Sequence, residues 1–323
     1  MSRGTTGLRD PLWRLYPPAY RAAHGREIID VHRELTADLP RAARLRADAE
    51  LAAHAVRVRL RLDSASPAGR FLALAAPFAL AAGAVDAGVR LTGWYATLVR
   101  SPAPAWVQLS AGTEGYWALY MLLSALVCVG AVVALTGRGR GHGRGNGSVN
   151  GSGRWSLGAG LAVCGLLGTA AQWPFAAPTH GDGVATPVAS LLTAAVVLGC
   201  PPDRRGDDRW LSAAAGVMAA VAWFPVVAVR TGAFGVTTDY GAWPVLVLAV
   251  TGAVLAVRAR SSGLREAGAM AVASPGLVAY AYTGAWGELL PVLGLFLPLL
   301  AGVVAVGALT AAVRAVRAVR RGR

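Results

Sequence analysis

Asp86 and Arg90 stand four residues apart in VDAGVR, inside a stretch otherwise built of alanine, leucine, phenylalanine, valine, glycine and one proline. A carboxylate in so apolar a setting is costly and often serves proton or ion coupling. A cation one helical turn on can neutralise it. The pair falls near the outer end of its predicted helix, so the expectation is an interfacial ion pair, with a transport role as the alternative. The remaining reactive side chains form no recognisable centre. His180 and Asp182 in THGD are two apart and supply too few ligands for a metal, which leaves a polar turn. The histidines of HGREIIDVH (24–32) are eight apart, and a zincin needs them four apart on a helix. Cys128, Cys164 and Cys200 lie in or beside apolar runs and read as small apolar fillers. No Walker, HExxH, GxSxG or Rossmann pattern is present, so the chain reads as a non-enzyme with no cofactor. Ser274-Pro275-Gly276 interrupts one apolar run; it reads as a kink, although broken helices also build transporter sites.

The elements that must hold these residues are apolar helices. The 323 residues are 55% hydrophobic and only 15% charged, well below the charge of an ordinary soluble domain. Runs long enough to cross a bilayer occur at 71–89, 116–136, 155–173, 184–200, 210–229, 240–257, 267–286 and 289–313. The fold class expected is all-α: a polytopic membrane protein of about eight spans. It would comprise a cytoplasmic helical domain at 1–69, a helical bundle at 70–313 and a basic tail at 314–323.

All 31 basic residues are arginine, the coding bias of a GC-rich bacterial genome. Of these, 28 fall in the segments that eight spans would place on one side, and only Arg90, Arg100 and Arg230 fall on the other. The positive-inside rule then puts both termini in the cytoplasm and the chain in the cell membrane. Trp94, Trp117, Trp155, Trp173, Trp210, Trp243 and Trp286 lie at or near span ends, where an indole suits the headgroup layer. The formal charge of +14 is thereby explained without nucleic acid. The loop 137–154 reads as a flexible linker, since it lacks the aromatics of an RNA-binding segment. In the tail, Arg314, Arg317, Arg320 and Arg321 share a helical face and are expected to meet anionic headgroups.

Ahead of the first span, Pro18 can open a helix on which Tyr20, His24, Ile28, Val31 and Leu35 share one face. Pro40 ends it, and Leu45, Ala49, Ala52, Val56 and Leu60 mark a second helix. The strip VRVRLRL (56–62) alternates and could form a strand, but its place before the first span favours a juxtamembrane helix with snorkelling arginines.

The residues Leu15-Tyr16-Pro17, Tyr20-Arg21, His24-Gly25 and Glu27-Ile28-Ile29 resemble the permease prefix segment. That helical segment precedes the membrane part of some bacterial ABC-type permeases and of many actinobacterial multi-pass proteins. The resemblance covers about 50 of the 323 residues. It implies an accessory cytoplasmic helical domain on a membrane protein and carries over no catalytic residues. Two functions follow as expectations. One is a permease-like or transport-associated subunit. The other is a non-transporting regulator or scaffold that docks a cytoplasmic protein through Tyr20, His24, Ile28, Val31 and Leu35.

Overall fold

The computed structural model describes residues 14–62, 66–104, 107, 116–137, 150–180, 185–201 and 209–231. Seven α-helices and no strand occur among the described residues. The chain divides into two compact units at Arg70/Phe71. The expected spans at 240–257, 267–286 and 289–313 lie outside the described residues, as do the four tail arginines.

The first unit is a helical hairpin. Helix α1 (Pro18–Thr36) starts where Pro17 turns the chain and Pro18, whose missing N–H costs nothing in a first turn, takes the first helical position. Pro40 stands at the N-cap of α2 (Arg41–Arg59). The strip 56–62 is therefore helical as far as Arg59 rather than a strand. Helix α2 closes with two bonds, from the Arg61 N–H to the Val58 carbonyl and from the Leu62 N–H to the Arg57 carbonyl. This Schellman pairing requires a left-handed residue after the cap, usually glycine. Here Arg61 fills it, at φ 54°.

The second unit is a bundle around α3 (Pro67–Arg100). Ser66 caps this helix, its Oγ accepting from the Gly69 N–H at 2.9 Å, with Pro67 in the first turn. The helix runs eleven residues past the expected 71–89, because nothing in 90–100 breaks it before Ser101-Pro102. Around it lie α4 (Tyr116–Thr136), α5 (Asn150–His180), α6 (Ala185–Gly199) and α7 (Arg209–Thr231). Thr179 and His180 thus belong to a helix, not to a turn.

Among the described residues, four helices are long and apolar enough to cross a membrane: α3, α4, α5 and α7. Helix α6, with 15 residues, is about 22 Å long and falls short of a hydrocarbon core of about 30 Å.

Helix α3 is apolar on every side, the pattern of a helix surrounded by others. One flank packs Ala75, Phe78, Ala82 and Val85 with Met218 and Ala222 of α7. The other packs Ala76, Leu80 and Ala87 with Val127 of α4, Leu166 of α5 and Val197 of α6. Trp155, expected at an interface, is 3% exposed and belongs to this second cluster. The indole is covered within a cluster to which α3, α4, α5 and α6 all contribute.

Helices α4 and α5 cross at backbone distance. A Cβ on Gly130 would lie 2.5 Å from the Ala162 nitrogen and 2.6 Å from the Gly158 carbonyl oxygen. A Cβ on Gly158 would meet the Ala134 nitrogen and the Gly130 carbonyl oxygen in the same way. Neither neighbour is a side chain that could rotate aside. Small residues therefore set the interhelical distance, as they do where helix association relies on van der Waals packing.

Candidate functional site

Two groupings carry chemistry, one in each unit. In the bundle, Asp86 Oδ2 lies 2.6 Å from Arg90 Nη1. The Arg90 Nε donates to Ser124 Oγ of α4 at 3.3 Å. Its guanidinium carbon sits 5.3 Å from the centroid of Tyr120, within cation–π range. Trp117 meets Tyr120 edge-on with centroids 6.3 Å apart. Asp86 is 6% exposed and Ser124 fully buried.

Both side chains are therefore largely covered by the neighbouring helix. The sequence spacing supplied the partner, and the helix packing supplied the enclosure. Nearby, the Cys128 Sγ donates weakly to the Ala84 carbonyl at 3.5 Å.

A second polar tie binds α3 to α7. The Trp223 indole N–H donates to Thr92 Oγ1 at 2.9 Å, and the Thr92 hydroxyl donates to the Gly88 carbonyl at 2.8 Å. Gly88 leaves the room that the indole fills. Neither Thr92 nor Trp223 stood out in the sequence. The signal available was a tryptophan well inside an apolar run, where its N–H needs an acceptor.

The hairpin holds an aromatic–imidazole cluster. Tyr16, 1% exposed, stacks on Tyr20 with centroids 5.5 Å apart and planes 9° from parallel. Its hydroxyl lies 2.8 Å from His54 Nδ1, across the hairpin. Tyr20 in turn meets the His24 ring at 5.0 Å. Burial pushes the Tyr16 hydroxyl up to about 12. Burial, with Arg57 nearby, pulls His54 below its ordinary value. A neutral imidazole that accepts the phenol proton at Nδ1 satisfies both shifts. Farther along, His32 Nε2 and Asp48 Oδ1 join α1 to α2 at 2.9 Å.

The face expected for docking is divided by this packing. Tyr20 and Ile28 are half-buried, whereas His24, Val31 and Leu35 are exposed, Leu35 to 69%. Leu39 beyond the helix end is exposed as well. Helix α1 meets α2 through Tyr20, whose ring centroid lies 6.3 Å from that of His54, and through His32 beside that face.

Glu27, Asp30 and Glu34 border the exposed stripe and are exposed themselves. Among the described residues, no group of three or more histidine, cysteine or acidic side chains could hold a metal ion. No protein-family model, no curated protein and no solved structure matches this chain.

Proposed function

We propose that this chain is a non-transporting regulator or scaffold of the bacterial cell membrane, with about eight spans and both termini in the cytoplasm. Its N-terminal hairpin docks a cytoplasmic protein. The four long apolar helices support the membrane location, and the one-sided arginine distribution supports the orientation. The C-terminal arginines then meet anionic headgroups.

The observation that carries the docking role is the exposed stripe of His24, Val31 and Leu35, left outside the hairpin and rimmed by Glu27, Asp30 and Glu34. Such a stripe suits an amphipathic partner segment with a basic rim. The acids would repel it from an anionic membrane surface. The permease-like reading needs a polar path through the bundle. The Asp86–Arg90 pair instead closes on itself and on Ser124.

A photocrosslinking amino acid at Leu35 of the full chain, in cells, tests this. The expected result is one protein crosslinked at Leu35, and the crosslink lost when Glu27 and Glu34 are changed to arginine. Solute flux into proteoliposomes that disappears in Asp86→Asn would refute the proposal and establish transport. A cysteine at position 146 should resist labelling from outside intact cells if the orientation is right.

A further inference from the structure

We propose that α2 lies on the anionic cytoplasmic leaflet through an exposed apolar stripe that its packing on α1 leaves uncovered. The inference rests on the membrane-spanning reading and does not depend on the docking role of α1. On a helix turning about 100° per residue, Leu45, Ala52, Val56 and Leu60 form one stripe. Leu45 is 63% exposed, Val56 48% and Leu60 60%. The flank next to it is the one engaged with α1: Asp48 bonds His32, the Leu51 carbonyl faces the Tyr16 hydroxyl, and Ala55 is fully buried.

Exposed apolar residues alone do not name an occupant; the charges around them do. Arg41 and Arg59 are exposed and lie about 40° to one side of Leu45. Helix α2 carries five arginines against two acids, Asp48 and Glu50, and Arg61 follows it, exposed. The acid nearest the stripe, Asp48, faces His32.

On α1 the rim has the opposite sign, with Glu27, Asp30 and Glu34 beside Val31 and Leu35. An apolar stripe bordered by exposed arginines, on a helix of net positive charge, matches an anionic lipid surface. The side chains settle into the headgroup boundary while the guanidinium groups reach phosphates.

The chain itself also limits where α2 can be. Seven residues, 60–66, separate its end from the start of α3. Fully extended they span at most about 25 Å. If α3 crosses the membrane, the C-terminal end of α2 stays close to the bilayer without any further anchor. The large apolar side chains on the stripe are few, so attachment is chiefly electrostatic and sensitive to salt.

The test uses the full chain with Cys128, Cys164 and Cys200 changed to alanine. One environment-sensitive fluorophore is placed at Val56→Cys, Glu50→Cys or Val132→Cys. Each protein is reconstituted in nanodiscs of phosphatidylcholine alone or mixed with phosphatidylglycerol.

At Val56 the expected result is a blue shift and quenching by spin-labelled lipid in the mixed discs, reversed by high salt. The same label at Glu50 stays water-exposed. Changing Arg41 and Arg59 to glutamine should lower the surface-bound to free ratio about 25-fold, near fivefold for each arginine. Val132, 60% exposed on α4, should be quenched in both kinds of disc.

Quenching at Val132 with a Val56 signal that ignores phosphatidylglycerol overturns the α2 proposal and leaves the membrane reading intact. Loss of quenching at Val132 overturns the membrane reading itself. A Val56 label shielded only when a soluble protein is added assigns this face to a protein and also overturns the proposal.

Discussion

Removing one partner of the Asp86–Arg90 pair separates a buried ion pair from an exposed one. At 2.6 Å between Oδ2 and Nη1, the mutual attraction is about 4–6 kcal/mol at an effective dielectric constant near 20. Desolvation of both groups offsets most of this while both are present. Arg90→Ala leaves the Asp86 carboxylate, 6% exposed, without its counter-charge. Asp86→Asn leaves the guanidinium beside Ser124 and Tyr120 without the carboxylate's charge.

Each single change should cost about 3–5 kcal/mol, the cost of stranding a buried charge. The double change, Asp86→Asn with Arg90→Ala, removes both charges and should cost much less than the sum. Thermal unfolding in detergent, with Cys128 and Cys164 changed to alanine and a dye that reacts with Cys200 as it becomes exposed, reads this out. Cys200 is 2% exposed in the folded chain. Roughly 10 °C should be lost from the Tm in each single variant. Single changes that cost under about 1 kcal/mol and simply add would refute the enclosure, since that is the behaviour of an exposed pair.

Gly158→Leu should separate α4 from α5 and abolish the monodisperse folded protein in size-exclusion chromatography. Gly160→Ala, where an added Cβ meets nothing within 4 Å, should elute unchanged. Replacing Arg61 by glycine relieves a left-handed residue at φ 54° and should stabilise the hairpin by about 1 kcal/mol, read as greater resistance to trypsin within residues 14–62.

The hairpin should also respond to pH at both extremes. His54 is depressed in the folded state, so its contribution is present above the unfolded value, near 6.5, and is lost as pH falls through the lower folded value. Tyr16 is raised from 10.0, so its contribution is present below 10 and is lost as pH climbs toward about 12. Hydrogen exchange of the α1–α2 amides should accelerate in both directions, and Tyr16→Phe should remove the alkaline limb.

The helical character of this chain and most of the described helix boundaries are written in short-range signals. Pro17-Pro18, Pro40 and Ser66-Pro67 open α1, α2 and α3 where the backbone chemistry of proline and serine requires. The apolar run at 116–136 coincides with α4, because periodicity, length and hydropathy are local properties. The spacing of Asp86 and Arg90 likewise announces a pair, since residues four apart on a helix are neighbours by construction.

What a linear reading does not contain is which face each helix presents to another. The five-residue face on α1 looked uniform, yet Tyr16 draws Tyr20 inward while Val31 and Leu35 stay outside. Trp155 sits at a helix start, as an interfacial tryptophan would, and is covered all the same. Gly130 and Gly158 are ordinary glycines until α4 and α5 cross through them. The Asp86–Arg90 pair is enclosed because α4 brings Tyr120 and Ser124 to it from 30 residues away or more. Burial belongs to the relation between helices, and only the tertiary structure decides it.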